Sequence, residues 1–210
     1  CHNCKKKILY ERKGNNCLDW CKAAKECVGE QAYNNYRMNK ALTVREKLIK
    51  ELDEYFGPDA KRIEHAKKVL LYAEELLKLE KGDWNIVIPA SILHDVGIKI
   101  AEEKYGSSGG HYQEKEGPEI ARKILNKTGL KKSDTDEICE IIGHHHSPGK
   151  INTLNFKILY DADWLVNLRD EVGDTKDKEK LSKMIDKIFL TETGKEIARR
   201  IYLSKINTRI

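Results

Sequence analysis

The chain has 210 residues, of which 40% are hydrophobic, and four prolines, enough for one cored domain and a small appendage. Its formal charge of +5 is local: residues 1–40 hold nine Lys or Arg against four Asp or Glu, and the remaining residues balance. No apolar run approaches the roughly 20 residues that cross a bilayer, no signal-peptide pattern is present, and no aromatic-basic stacking motif accompanies the basic segment. A cytoplasmic protein is expected, with membranes set aside and nucleic acid disfavoured as partners.

Five of the six cysteines, Cys1, Cys4, Cys17, Cys21 and Cys27, fall in the basic segment with the spacing C-x2-C, C-x3-C, C-x5-C. Thiols this close can fold a segment too short to have its own core, because metal-binding free energy becomes folding free energy. A zinc knuckle over residues 1–38 is the simplest reading, and an iron–sulfur cluster is the alternative. Four ligands suffice for either, with Cys1, Cys4, Cys17 and Cys21 preferred, Cys27 as substitute and His2 a further candidate. Disulfides fit less well, since five is odd and Cys139 lies among apolar residues elsewhere.

Residues 40–210 read as an all-α domain. Helical periodicity covers 43–56, 60–79, 85–96, 116–127, 134–146, 155–168, 177–190 and 192–204, punctuated by Gly57-Pro58, Lys81 to Asp83, Gly106 to Gly110 and Ser147 to Gly149. In the second of these, His65 flanks a buried stripe through Ile63, Ala66, Leu70, Ala73 and Leu77. The third is apolar on nearly every face, and its only strongly polar residues near the end are His94 and Asp95. In the sixth, Asp161 shares a row with Ile158, Leu165 and Leu168 and is expected to face inward, whereas Asp163 falls with Tyr160, Asn167 and Asp170.

Singly, a helix-edge histidine or a His-Asp pair at a helix end is more often a hydrogen-bonded structural feature than a ligand. Together, imidazoles and carboxylates gathered in an apolar interior are costly unless compensated, and one divalent ion compensates all of them. The combination resembles the HD phosphohydrolase superfamily. The resemblance rests on the single His65, on Leu93-His94-Asp95-Val96-Gly97 and on Ile158-Leu159-Tyr160-Asp161-Ala162-Asp163. Glu116 to Ala121 and Ile141-Ile142-Gly143-His144-His145 also match, over about residues 60 to 170.

That resemblance implies a helical bundle holding a divalent ion on His65, His94, Asp95 and Asp161. The ion's identity among Fe, Mn, Ni, Co, Zn and Mg stays open. The implied reaction is hydrolysis of a phosphate ester, of a nucleotide or other small phosphorylated metabolite, by a metal-activated water that Asp95 also orients. Lys99 is a candidate phosphate contact, although relatives place a lysine one position nearer the Asp. His145 lies on the inward stripe of its helix, His144 flanks it, and His146 is expected at the surface. Two-metal relatives bring a further histidine from the loop before Glu116; here Gln113 stands at that position and His111 is displaced by two residues. One ion is therefore favoured, with His111 and His145 contacting phosphate or water. The alternatives are a di-iron oxygenase and a non-catalytic nucleotide-sensing or partner-binding module.

Overall fold

In the computed structural model, residues 30–173 and 177–204 are described. The cysteine segment, with Cys1, Cys4, Cys17, Cys21 and Cys27, lies outside them. The chain divides into two compact units, residues 1–43 and 44–210. The described residues form helices joined by turns, with no strand among them: α1 (Glu30–Phe56), α2 (Ala60–Leu79), α3 (Trp84–Leu93), α4 (Gly97–Tyr105), α5 (Gly110–Leu125), α6 (Lys132–Ile142), α7 (Leu154–Val172), α8 (Lys178–Ile188) and α9 (Glu192–Tyr202).

Side chains fix where these helices begin. Asp59 accepts from the Arg62 N–H at the start of α2, Asp83 from Asn85 at α3, Thr153 from Phe156 at α7 and Thr191 from Gly194 at α9. Each satisfies an amide that the helix itself leaves unpaired. In the second unit, α3 is buried at every residue from Asn85 to Leu93 and forms the axis of the domain. Helices α2, α6 and α7 pack around it, α2 packs along α7, and α4 and α5 pair beside them. A helix that is apolar all round is stable only when enclosed in this way.

Several expected boundaries shift, among them the start of α5 at Gly110 rather than 116, which puts His111 and Gln113 on a helix, and two further shifts shape the site. The third helix ends at Leu93 rather than 96: His94 to Val96 form a turn, held by the Tyr55 hydroxyl donating to the Val96 carbonyl at 2.9 Å, and α4 follows at once. Gly97 at its start is required by close approach, since a Cβ there would lie 2.4 Å from the Gln113 carbonyl oxygen and 2.9 Å from Gly117 N on α5. Likewise α6 stops at Ile142, so His144, His145 and His146 stand on a turn and not on a helix. Glu114 secures that turn, accepting from His146 N at 2.9 Å and from the Ser147 hydroxyl at 2.8 Å.

Candidate metal centre

Four ligand-type atoms converge where α2, the turn after α3 and α7 meet. His65 Nε2 lies 3.3 Å from His94 Nε2, 3.5 Å from Asp95 Oδ2 and 3.1 Å from Asp163 Oδ1. His94 Nε2 lies 3.4 Å from Asp95 Oδ2 and 3.7 Å from Asp163 Oδ1. Ligand atoms about 2.1 Å from a common ion sit about 3.0 Å apart at right angles and about 3.4 Å apart at the tetrahedral angle. The observed separations match that scale. The His94 ring is oriented by Nδ1 donating to the Ser91 carbonyl at 2.8 Å, which leaves Nε2 to present a lone pair. Two imidazole nitrogens facing each other at 3.3 Å beside two carboxylates are a donor set that a divalent cation fits.

The expected carboxylate is corrected here. Asp161 is fully buried, as its apolar row implies, but it faces away from the histidines. Its Oδ1 accepts from Leu190 N at 2.8 Å, and its Oδ2 from Thr191 N at 2.9 Å and the Thr191 hydroxyl at 2.7 Å. It therefore anchors the segment that opens α9, and Asp163 occupies the place in the cluster. The polar row shared by Asp163, Asn167 and Asp170 was the usable signal: a ligand must stand where the core meets an accessible cleft. That cleft, of about 460 Å³, is lined by Asp163, Asn167 and Asp170 together with His65, Asp95 and residues of α2 and α5.

Asp95 serves two sides. Its Oδ2 faces His65 and His94, while Oδ1 lies 3.6 Å from His145 Nε2. The buried His145 ring is fixed by Nδ1 donating to the Ile142 carbonyl at 2.7 Å, and its Nε2 has no hydrogen-bond partner. Asp95, His145 and His146 form a second group able to hold an ion. His145 is buried on the side of the cluster, and His146 is exposed, as expected, yet belongs to this group. Gly110 makes room for it, as a Cβ there would press on the His146 ring at 2.8 Å. Gln113 donates to the Ser108 carbonyl at 2.7 Å, which turns its Oε1 toward His146 Nε2 at 3.4 Å.

Other expected residues stand apart. Lys99 lies against the Tyr55 ring, 5.5 Å from its centroid, and does not line the cleft. Lys61 and Arg62, one turn before His65, supply the lining cations. His111 is exposed and packs on Tyr112 at 3.8 Å between ring centroids, outside both ligand groups. His144 lies outside both groups as well; its Nδ1 is buried without a partner.

The electrostatics reflect crowding of charge. Burial pushes the His94 imidazole down, but the Asp95 and Asp163 carboxylates outweigh it and lift the ring to about 9. Burial opposes ionisation of Asp95, yet His94 and His145 hold it well below the usual carboxylate range; Asp163 is lowered in the same way by His65 and His94. Asp161 behaves oppositely: desolvation dominates and pushes it up to about 6 despite its three donors.

The HD domain family profile matches residues 62–168, and the chain belongs to that family. A crystal structure of a predicted HD superfamily hydrolase from an uncultured Thermotogales bacterium is similar at 26% identity and a TM-score of 0.58, over 77% of this chain and 86% of that one. No curated protein matches the chain. The family and this neighbour together place the chain in a metal-dependent hydrolase superfamily. No helix among the described residues is long and apolar enough to cross a membrane.

Proposed function

We propose that the chain is a phosphohydrolase that transfers the phosphoryl group of a small phosphate ester, of a nucleotide or another phosphorylated metabolite, to water. The observation that carries this reading is the junction at Asp95, which lines an open cleft and joins a four-atom metal cradle to the buried, unpartnered Nε2 of His145. His65, His94, Asp95 and Asp163 would hold the ion. What a divalent ion supplies there is an acidified water and positive charge opposite the phosphoryl oxygens.

The protein's own groups do the rest. His145 is locked in the tautomer that leaves Nε2 as a proton acceptor, and with Asp95 Oδ1 it is placed to take a proton from the attacking water. The water oxygen forms the new bond to phosphorus as the bond to the ester oxygen breaks. The leaving alkoxide takes up a proton, so an ester and water give an alcohol and inorganic phosphate. Gly97 and Tyr55 keep the His94-Asp95 turn in register with α2 and α7.

A second reading, with another ion beside the first, is favoured by the Asp95, His145 and His146 group. Metal analysis of anaerobically purified protein, joined to a phosphatase screen over nucleotides and sugar phosphates, tests both. Phosphate release that chelation abolishes and metal restores is expected. Metal-loaded protein that releases no phosphate from any ester overturns the proposal, and oxygen consumption by a two-iron form would favour oxygenase chemistry instead.

A further inference from the structure

We propose that the substrate is a small hydroxyl-bearing phosphomonoester, of the sugar-phosphate class rather than a nucleotide, with Lys61 as the residue that recognises its phosphate. The inference rests on the phosphohydrolase reading and narrows it.

Lys61 stands one turn before His65 on the same side of α2 and lines the cleft. Its neighbour Arg62 is committed, with Nη1 2.6 Å from Asp59 Oδ2 and Nη2 2.6 Å from Glu102 Oε1. Lys61 has no carboxylate partner among the described residues. It is therefore the lining cation left to meet a phosphate dianion beside the ligand cluster.

The rest of the lining suits hydroxyl groups. Along α7, Asp163, Asn167 and Asp170 form one row that leads about 10 Å outward, at roughly 1.5 Å per residue. Asn167 donates through Nδ2 to Asp163 Oδ1 at 2.8 Å, which leaves its Oδ1 as an acceptor on a residue of the lining. The exposed Asp170 carboxylate adds further acceptors, and the Ser108 hydroxyl lies on the lining too.

On this lining a nucleobase finds no comparable partner. Base recognition relies on stacking against an aromatic or apolar wall. Ile98 is the one aliphatic side chain on the described lining, and no Phe, Tyr or Trp is present there. Of the aromatic rings near this cleft, Tyr105 stacks on Tyr112 at 4.2 Å and Lys99 covers Tyr55, while Tyr72 and Tyr202 line a different cleft that shares Asp170 with it.

The test uses the metal-loaded full chain, a panel of aldose, ketose and polyol phosphates against nucleoside monophosphates, and inorganic phosphate as a binding probe. The best sugar or polyol phosphate should exceed every nucleoside monophosphate in kcat/KM. Lys61→Gln should weaken inorganic phosphate binding by roughly tenfold or more with metal content unchanged, the effect of losing one charged hydrogen bond. Asp170→Asn should raise KM for the sugar phosphate while leaving inorganic phosphate binding intact. Nucleoside monophosphates turned over as well as or better than the sugar phosphates, or unchanged phosphate binding in Lys61→Gln, overturn this inference and leave the hydrolase reading standing. Wild-type protein that neither binds inorganic phosphate nor hydrolyses any ester removes both.

Discussion

Asp163 Oδ1 lies 3.1 Å from His65 Nε2, while Asp161, two residues earlier on α7, is hydrogen-bonded to Leu190 and Thr191 on the opposite side. The two carboxylates therefore separate by experiment. Asp163→Ala should empty the core metal site and abolish turnover. Asp161→Ala should keep the metal but strand the buried N–H and hydroxyl of Thr191 and the part-buried N–H of Leu190, costing about 2–4 kcal/mol by the usual penalty for unsatisfied partners. Metal analysis and urea unfolding of both variants check this, with any ion in the cysteine segment counted separately. Loss of the core ion in a folded Asp161→Ala variant would reverse the assignment.

The contrast also shows what the sequence could and could not disclose. Burial of Asp161 followed from its apolar row with Ile158, Leu165 and Leu168, and the all-helical class followed from periodicity throughout. Choosing between two buried carboxylates required knowing that Thr191, 30 residues on, would claim one of them. Periodicity carries no information about such a long-range partner. The short α4 was hidden for a different reason: a glycine directly after an apolar helical run is an ordinary helix end, whereas Gly97 opens a helix and is glycine because α5 passes too close for a Cβ. Lys99 looked plausible by its distance in sequence from Asp95, but α4 turns it toward Tyr55.

The Asn167 amide, 2.8 Å from Asp163 Oδ1, orients a proposed ligand without touching the ion. Partners of this kind typically tune metal affinity by about 10- to 100-fold. Asn167→Leu should weaken core metal binding on that scale in a chelator competition, and Asn167→Ala should behave alike. Wild-type affinity in both variants would show that the hydrogen bond is incidental.

Gly97→Ala should be costly although it adds only one methyl group. The new Cβ would meet backbone atoms of Gln113 and Gly117, which cannot rotate away as a side chain could. Overpacking of this kind costs about 1–3 kcal/mol, and relief by separating α4 from α5 would drag the His94-Asp95 turn with it. A lowered urea midpoint together with weaker metal binding is the expected pair of changes. A variant with unaltered stability would contradict the close approach.

His145 decides the number of core ions. With one ion, His145→Ala leaves metal content intact and lowers turnover by roughly 10²- to 10³-fold, the range for removing one group that acts mainly in the transition state. With two, the same substitution reduces core stoichiometry by one, because His145 belongs to the Asp95 and His146 group. Stoichiometry measured on this variant separates the readings, and a loss of core metal rejects the single ion.

Metal binding should release a proton at neutral pH. Without an ion, the net pull of Asp95 and Asp163 against burial raises His94 to about 9, above the usual value of about 6.5, so the folded apo protein holds a proton between these carboxylates. A raised pKa contributes stability that is fully present below the unfolded value and is lost as pH rises through the folded one. Apo protein should therefore lose stability between about pH 6.5 and 9, whereas the metal-loaded form, whose ligand imidazole is already deprotonated, should lack this loss. Calorimetric metal titrations at pH 7 in two buffers of different ionisation enthalpy should report proton release, shrinking toward zero above about pH 9. Equal apparent enthalpies in the two buffers at pH 7 would mean that His94 enters the site already neutral.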